Sequence, residues 1–163
     1  MISTHNATRS VPQLTAGSGK EMAARQRPIS WPVHLLAEWE MVVRGHHNFL
    51  LVGTPSATSE MLVAMRPYLR KPLHEYEAST GTAVPQPSEG TLVLSEVARL
   101  DLKRQTELLR WFTKSNERLQ VQVVSTTSEP IFSTVQTGAF LADLYYRLNV
   151  VRIELSGSGE RIS

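Results

Sequence analysis

Two short apolar runs in this sequence are followed directly by polar residues that could bind a ligand or take part in catalysis. One is the run 91–94, which is followed by Ser95 and Glu96. Apolar residues without alternation are typical of a strand that is buried on both faces of a parallel sheet. The carboxyl ends of such strands form the edge at which α/β proteins bind ligands. We therefore predict that the Glu96 carboxylate lies at this edge; the alternative is a solvated or paired carboxylate.

The second run, 48–52, leads into a segment of small residues, 53–60, and then into a short helix that contains Met61 and Met65. A strand, a small-residue loop and a helix form the architecture of a phosphate-binding turn. Backbone N–H groups at the start of a helix attract an anion, whereas a carboxylate in the first turn opposes it. The candidate anion-binding residues of this loop are Gly53, Thr54, Ser56, Thr58, Ser59 and Glu60.

The segment Gly17-Ser-Gly-Lys20 also has the composition of the end of a phosphate loop. The full spacing, G-x-x-x-x-G-K, requires a glycine at the position of Leu14, and no strand is predicted before it. We therefore interpret this segment as a chance resemblance.

The candidate residues need a sheet and helices to position them. Hydrophobic periodicity predicts helices over about 32–44, 61–65, 102–115 and 138–148, and strands over about 48–52, 73–78, 91–94, 120–125 and 150–155. Leu36 and Leu102 are expected on buried helix faces, and Asp101 is expected to cap the helix that follows it. Strands that alternate with helices imply a mostly parallel sheet covered on both faces, which is a three-layer α/β domain.

Composition limits the classes of protein to which this chain can belong. Its 163 residues, of which 41% are hydrophobic and 20% charged, fit one globular domain with a core. A net charge of +2 without a basic stripe does not indicate nucleic-acid binding, and the absence of Cys excludes disulfides. Because no apolar run approaches the length of a membrane span, we expect a cytoplasmic protein. We expect a flexible arm over residues 1–29, the domain over 30–155 and a flexible tail over 156–163.

Three motifs in these elements resemble those of one family. Residues 138–150, GAFLADLYYRLNV, are similar to its G-R-F-R-x-D-L-Y-Y-R-L-N-V. Residues 90–97, GTLVLSEV, are similar to G-T-L-F-L-D-E-I, its Walker B strand, and residues 100–110 follow its L-P-L-x-x-Q-x-x-L-L-R. Over about 48–155 the sequence thus resembles the NtrC-type sigma-54 interaction domain, the AAA+ ATPase domain of bacterial enhancer-binding activators. The resemblance implies a P-loop NTPase-like fold with α/β/α layers.

The sequence departs from the family in the segment that would bind phosphate. Residues 53–60 align with the family's G-E-S-G-T-G-K-E. Ser56 and Thr58 replace its second and third glycines, Ser59 replaces its lysine, and Pro55 lacks an N–H group. A phosphate loop needs inward-pointing N–H groups and a lysine that neutralises the phosphates. We therefore expect the ATPase motifs to be degenerate and ATP hydrolysis to be absent.

Other family positions imply the same loss. The Walker B aspartate is Ser95, whose neutral hydroxyl cannot replace a carboxylate as a ligand for Mg²⁺. Glu96 stands at the position of the water-activating glutamate, and Ser128 at that of the sensor asparagine. Of two arginines that the family presents to a neighbouring subunit's nucleotide, one is replaced by Leu141 and the other is retained as Arg147. The alternative interpretation of Arg147 is a structural or interface residue.

Three family elements have no counterpart in the sequence: the G-A-F-T-G-A loop that engages sigma-54, the helical lid over the nucleotide, and a DNA-binding helix-turn-helix. We therefore predict a non-catalytic regulatory or interaction module in bacterial transcription control, without a cofactor, a metal or a membrane partner. Its expected partners are other AAA+ sigma-54 activators or a second copy of itself. One alternative is an ATP-binding regulator that completes its ATP and Mg²⁺ site with a partner subunit. Another is a structural remnant without a partner.

Overall fold

Five parallel strands and five α-helices make up the part of the chain that the computed structural model describes, residues 36–114 and 120–155. The strands are β1 (Phe49–Val52), β2 (Leu73–Glu77), β3 (Glu89–Ser95), β4 (Gln120–Thr127) and β5 (Val151–Glu154). The helices are α1 (Leu36–Val43), α2 (Pro55–Met65), α3 (Leu102–Lys114), α4 (Ile131–Gln136) and α5 (Ala142–Leu148). The strand order is β2-β3-β4-β1-β5, and every neighbouring pair is parallel.

The helices cover both faces of the sheet and bury a separate core on each. Leu50 and Leu51 are neighbours in β1 and belong to different cores, since successive side chains of a strand point to opposite faces. Leu51 belongs to the core that β1 forms with α1 and α2, which includes Trp39 of α1. Leu50 belongs to the core on the other face, formed with α3, α4 and α5, which includes Leu108 of α3 and Leu144 of α5. The predicted three-layer α/β architecture is therefore confirmed, and we call its two sides the α1–α2 face and the α3–α5 face.

The predicted strands agree with β1 to β5 to within two residues, whereas two predictions of buried helix residues are wrong. Leu102 is 57% exposed, because it is the first residue of α3 and the buried stripe of that helix consists of Gln105, Leu108, Trp111 and Phe112. Leu36 is 40% exposed at the first described residue of α1. Residues 32–35 of the predicted first helix lie outside the described residues, as do the predicted arm, the segment around Lys20 and the predicted tail.

The helix predicted over 138–148 begins later, at Ala142, and a helix that was not predicted, α4, precedes it. Gly138 has a φ of +77° and donates from its N–H to the carbonyl of Val135 at 3.1 Å. This left-handed glycine ends α4, because a residue without a Cβ adopts that conformation at low cost. The hydrophobic pattern predicted one helix from Gly138 onwards because Phe140, in the turn between α4 and α5, is buried like a core residue of a helix.

Gln105 ties α3 to the turn between α4 and α5, although it is only 1% exposed. Its Nε2 donates to the carbonyls of Leu100 at 2.7 Å and Ala139 at 3.1 Å. Its Oε1 accepts a hydrogen bond from the N–H of Leu141 at 2.8 Å. One buried amide therefore satisfies three backbone groups.

The predicted cap of α3 by Asp101 is also present. The N–H of Arg104 donates to Oδ1 of Asp101 at 2.8 Å.

Replacement of this amide should destabilise the fold strongly. We expect Gln105→Leu to lower the free energy of unfolding by about 2–3 kcal/mol, because it leaves buried backbone groups without partners. Urea unfolding followed by circular dichroism measures the change. Gln136→Leu, the same substitution at an exposed position of α4, should stay within about 0.5 kcal/mol of the unmodified protein. Equal effects at the two positions would contradict this role of Gln105.

Candidate functional site

The carboxyl ends of β3, β4 and β1 bring three of the predicted site residues to one edge of the sheet. Glu96 follows β3, Ser128 follows β4 and Gly53 follows β1, and these strands are neighbours in the order β3-β4-β1. The N–H of Gly53 donates to the carbonyl of Thr127 at 3.1 Å, which holds the ends of β1 and β4 together. This is the position at which parallel α/β sheets bind ligands.

The Glu96 carboxylate is already engaged by the chain itself. Its Oε2 accepts hydrogen bonds from the Ser128 hydroxyl at 2.8 Å and from the Ser128 N–H at 3.1 Å. The Glu96 N–H donates to Oγ1 of Thr126 at 3.2 Å, and the residue has a φ of +54°. A non-glycine residue in this left-handed region is uncommon, and the hydrogen bonds on both sides of Glu96 fix it there. Two predicted site residues thus meet, and Ser128 satisfies the carboxylate of Glu96.

The contact between these two side chains should be measurable as a coupling energy. In a double-mutant cycle of Glu96→Ala and Ser128→Ala, we expect a coupling of about 0.5–1 kcal/mol, since the shared hydrogen bond can be lost only once. A cycle of Glu96→Ala with Ser133→Ala is the control. The Ser133 hydroxyl donates to the Pro130 carbonyl and not to Glu96, so those two effects should add. Additivity in both cycles would rule out the contact.

The predicted loop 53–60 is mostly helical, which corrects the sequence prediction. Helix α2 begins at Pro55, so only Gly53 and Thr54 separate it from β1. Ser56, Thr58, Ser59 and Glu60 therefore belong to α2. The physical reason is a strong helix start: Thr54 is a hydroxyl N-cap, Pro55 favours the first turn, and no glycine follows within the helix.

Several of the groups that could bind an anion at the start of α2 are bonded within the helix. Oγ1 of Thr54 accepts from the Ala57 N–H at 3.3 Å, and the Thr58 N–H donates to the Thr54 carbonyl at 3.0 Å. Thr58 is 3% exposed and turns its hydroxyl back to the carbonyls of Thr54 and Pro55. The Ser56 hydroxyl donates to the Glu60 carboxylate at 3.0 Å. The first turn is thus capped internally, and Glu60 adds a negative charge beside it.

The cap at Thr54 should contribute measurably to stability. We expect Thr54→Ala to lower the free energy of unfolding by about 1 kcal/mol, the usual cost of removing a hydroxyl N-cap. Thr54→Ser keeps the hydroxyl and is the matched control, expected to retain most of the stability. Chemical denaturation of the three proteins decides the point: an Ala variant as stable as the Ser variant would show that the cap does not stabilise α2.

Two of the changed family positions line a common groove on the α1–α2 face. Ser59 of α2 and Ser95 of β3 lie along a cavity of about 460 Å³ between α2 and the edge strand β2. Its charged lining residues are Arg66, Glu75 and Glu77. Arg66 and Glu75 form an exposed ion pair across it. We call this cavity the α2–β2 groove. It carries no lysine, and its net charge of −1 disfavours a polyphosphate.

Comparison with known proteins supports the relationship that these motifs indicate. The model of a family described as the sigma-54 interaction domain matches residues 76–154. Residues 76–154 of this chain belong to the sigma-54 interaction domain family. The match begins after α2, so the segment that aligns with the phosphate loop lies outside it. The sigma-54-dependent transcriptional regulator SfnR from Pseudomonas fluorescens is 31% identical over 160 residues, which cover 89% of this chain and 39% of SfnR.

Solved structures show the same fold. NtrX from Brucella abortus, in complex with ADP, has a TM-score of 0.59 and 19% identity, over 83% of this chain and 38% of that protein. The P-loop NTPase domain of a sigma-54 transport activator from E. coli has a TM-score of 0.52 and 14% identity, over 78% of this chain and 99% of that domain. The chain thus has a P-loop NTPase-like α/β fold and is related to sigma-54-dependent transcription regulators. It spans between 30% and 39% of the length of three such regulators.

Of the two arginine positions of the sigma-54 interaction domain, the retained one, Arg147, lies away from Glu96. Arg147 is in the last turn of α5, and its carbonyl accepts from Nδ2 of Asn48 at 3.0 Å. Because Asn48 directly precedes β1, this bond places Arg147 near the amino edge of the sheet, opposite Glu96. Leu141 lies at the start of α5, where Gln105 holds its N–H. Within one chain, Arg147 and Glu96 therefore do not meet at the same ligand.

Tyr145 and His46, two other residues that could take part in chemistry, are held within the fold. The Tyr145 ring is buried and its hydroxyl accepts from Nδ2 of Asn149 at 2.8 Å, whereas Tyr146 is 64% exposed. Burial and the nearby Arg70 lower the pKa of His46, which favours the neutral imidazole. Over the described ranges, 36–114 and 120–155, no three His, Asp or Glu side chains are grouped to hold a metal ion. The longest helix of those ranges, α3, has 13 residues and is too short to cross a bilayer.

Proposed function

We propose that this chain is a non-catalytic regulatory or interaction module of the sigma-54 regulator type. The observation that carries the proposal is the start of α2 at Pro55, with only two residues between it and Val52 of β1. A phosphate loop works by leaving several successive N–H groups free to face the phosphates. Here Pro55 has no N–H, and the N–H groups of Ala57 and Thr58 are bonded to Thr54. This geometry supports the absence of a nucleotide-binding cradle.

The charges around the edge support the same proposal. Ser59 and Ser95 are neutral where a nucleotide and its Mg²⁺ need a lysine and an aspartate. Glu60, Glu75 and Glu77 add negative charge on α2 and β2. Glu96 is bonded to Ser128, and Ser95 supplies no metal ligand that would make Glu96 useful as a base. Each of these features weakens ATP binding, and together they leave hydrolysis without its electrostatic requirements.

An interaction role is supported by the exposed surface of α4 and α5. Phe132 is 48% exposed and Tyr146 is 64% exposed, and the Tyr145 ring lies between them, with ring centroids 6.1 Å and 5.3 Å away. Exposed aromatic residues next to an arginine have the composition of interface hot spots, and Arg147 adjoins Tyr146. We propose that this surface contacts a sigma-54 activator or a second copy of the chain.

A second candidate function is an ATPase that is completed by a partner subunit, and the retention of both Glu96 and Arg147 favours it. These are the two groups that could still act at a composite site. The partner would then have to supply the phosphate cradle, the lysine and the metal ligand.

Nucleotide titration tests the leading proposal. By calorimetry with ATP and Mg²⁺, we expect no saturable binding up to millimolar nucleotide, and a phosphate-release assay should give no signal above the blank. The physical reason is the combined loss of the cradle and of its positive charge. Micromolar binding that depends on Mg²⁺ would overturn the proposal, and binding that appears only with an activator present would favour the composite site.

Two variants separate the contribution of charge from that of backbone geometry. The first, S59K with S95D, restores both charged groups but leaves α2 starting at Pro55, and it should still not bind ATP. The second adds T54E, P55S, S56G, A57T and T58G, so that residues 53–60 have the family's loop sequence. We expect this variant to gain measurable ATP binding. Binding by the first variant would show that charge, and not the helix start, is the obstacle.

A further inference from the structure

Among the described residues, the α2–β2 groove is a part of the α1–α2 face that no helix fills. Within those residues two helices, α1 and α2, pack on this face of the five-stranded sheet, and β2 is its edge strand. The walls include Val63, which is 64% exposed, and the half-buried Leu62 and Leu73. Exposed apolar residues around a concave cavity are typical of a surface that binds another segment.

One acidic side chain of the groove has no cationic partner among residues 36–114 and 120–155. Arg66 pairs with Glu75, which satisfies both. Glu77 lies at the end of β2, and its carboxylate accepts a hydrogen bond from the Ser79 hydroxyl at 3.3 Å. Within the described part of the chain, no Lys, Arg or His forms an ion pair with Glu77. The groove therefore suits a segment that combines an apolar side chain with one cation.

The sequence before α1 contains a segment of that chemistry. Residues 1–35 include four Lys or Arg and one Glu, a net charge of +3, so the remaining residues carry −1 of the total +2. Residues 22–29 read MAARQRPI, in which Met22 and Ile29 flank Arg25 and Arg27. The chain then enters α1 at Leu36, and α1 packs on the face that holds the groove.

The connection between this segment and α1 is longer than a helix is wide. Six residues, 30–35, lie between Ile29 and Leu36 and can span about 20 Å when extended. Helix α2, which lines the groove, is about 10 Å in diameter. We propose that residues 22–29 of this chain bind in the α2–β2 groove, with Arg25 or Arg27 paired with Glu77. A partner that uses this groove then has to displace the chain's own segment. This inference goes beyond the proposed function and does not depend on whether the protein binds nucleotide.

Thiol cross-linking in the full chain tests this contact, because the sequence contains no Cys. The test protein carries Val63→Cys in the groove wall and Gln26→Cys between the two arginines. The control protein carries Gln26→Cys with Arg110→Cys, an exposed position of α3 on the opposite face. With a short bis-maleimide, we expect intrachain cross-linking at least about tenfold faster in the test pair, because docking raises the effective concentration of the two thiols.

Charge reversal identifies the ion pair. Glu77→Arg should reduce the cross-linking rate of the test pair to that of the control pair, and the further changes R25E and R27E should restore it. Far-ultraviolet circular dichroism and urea unfolding confirm that each variant is folded before its rate is compared. Equal rates in the test and control pairs, or a rate that Glu77→Arg does not change, would overturn the proposal. Cross-links between singly substituted chains in a mixture would also overturn it, by showing that the occupant is a second copy.

Discussion

The pairing of β4 with β1 on one side and β3 on the other is the constraint on which the rest of this structure depends. Val124 at its centre lies opposite Phe49 of β1 and Val93 of β3, and all three are buried. A buried polar side chain fixes the beginning of the same strand. Nε2 of Gln122 donates to the carbonyl of Val42 in α1 and to that of His47, just before β1, so it holds the connection between α1 and β1 against β4. Because all the strands are parallel, this register also sets which residues meet at the carboxyl edge.

At that edge the polar groups bind one another. Thr54 caps its own helix, and Ser128 binds the Glu96 carboxylate. On the α1–α2 face, Arg66 and Glu75 are likewise paired. A binding site differs from such an arrangement in keeping donors or charges without internal partners until the ligand arrives. The fold thus retains the architecture of a ligand-binding edge, while its side chains and backbone groups satisfy each other.

The relationship to sigma-54 regulators and the function of this chain rest on different kinds of observation. The family match and the structural similarity concern the sheet, its helices and the segment around α5. Function depends on individual groups at a site, and one fold can carry sites with and without catalytic activity. The start of α2 at Pro55 is such a local feature. It changes the backbone available to phosphate without changing the order of the strands.

The sequence by itself determined the layers, because the buried strands β1 and β3 contain apolar runs without polar alternation and the helices have one apolar stripe. It also identified Glu96 as an edge residue, since parallel strands deliver the residues that follow them to one edge, whereas Ser128 was singled out by the family resemblance. The tertiary structure decided what local patterns leave open. Small polar residues such as those of 53–60 occur both in loops and in capped first turns, so the start of α2 depended on Thr54, Pro55 and packing. The burial of Gln105 and the partner of Glu96 likewise require the neighbouring elements, because each involves residues distant in the sequence.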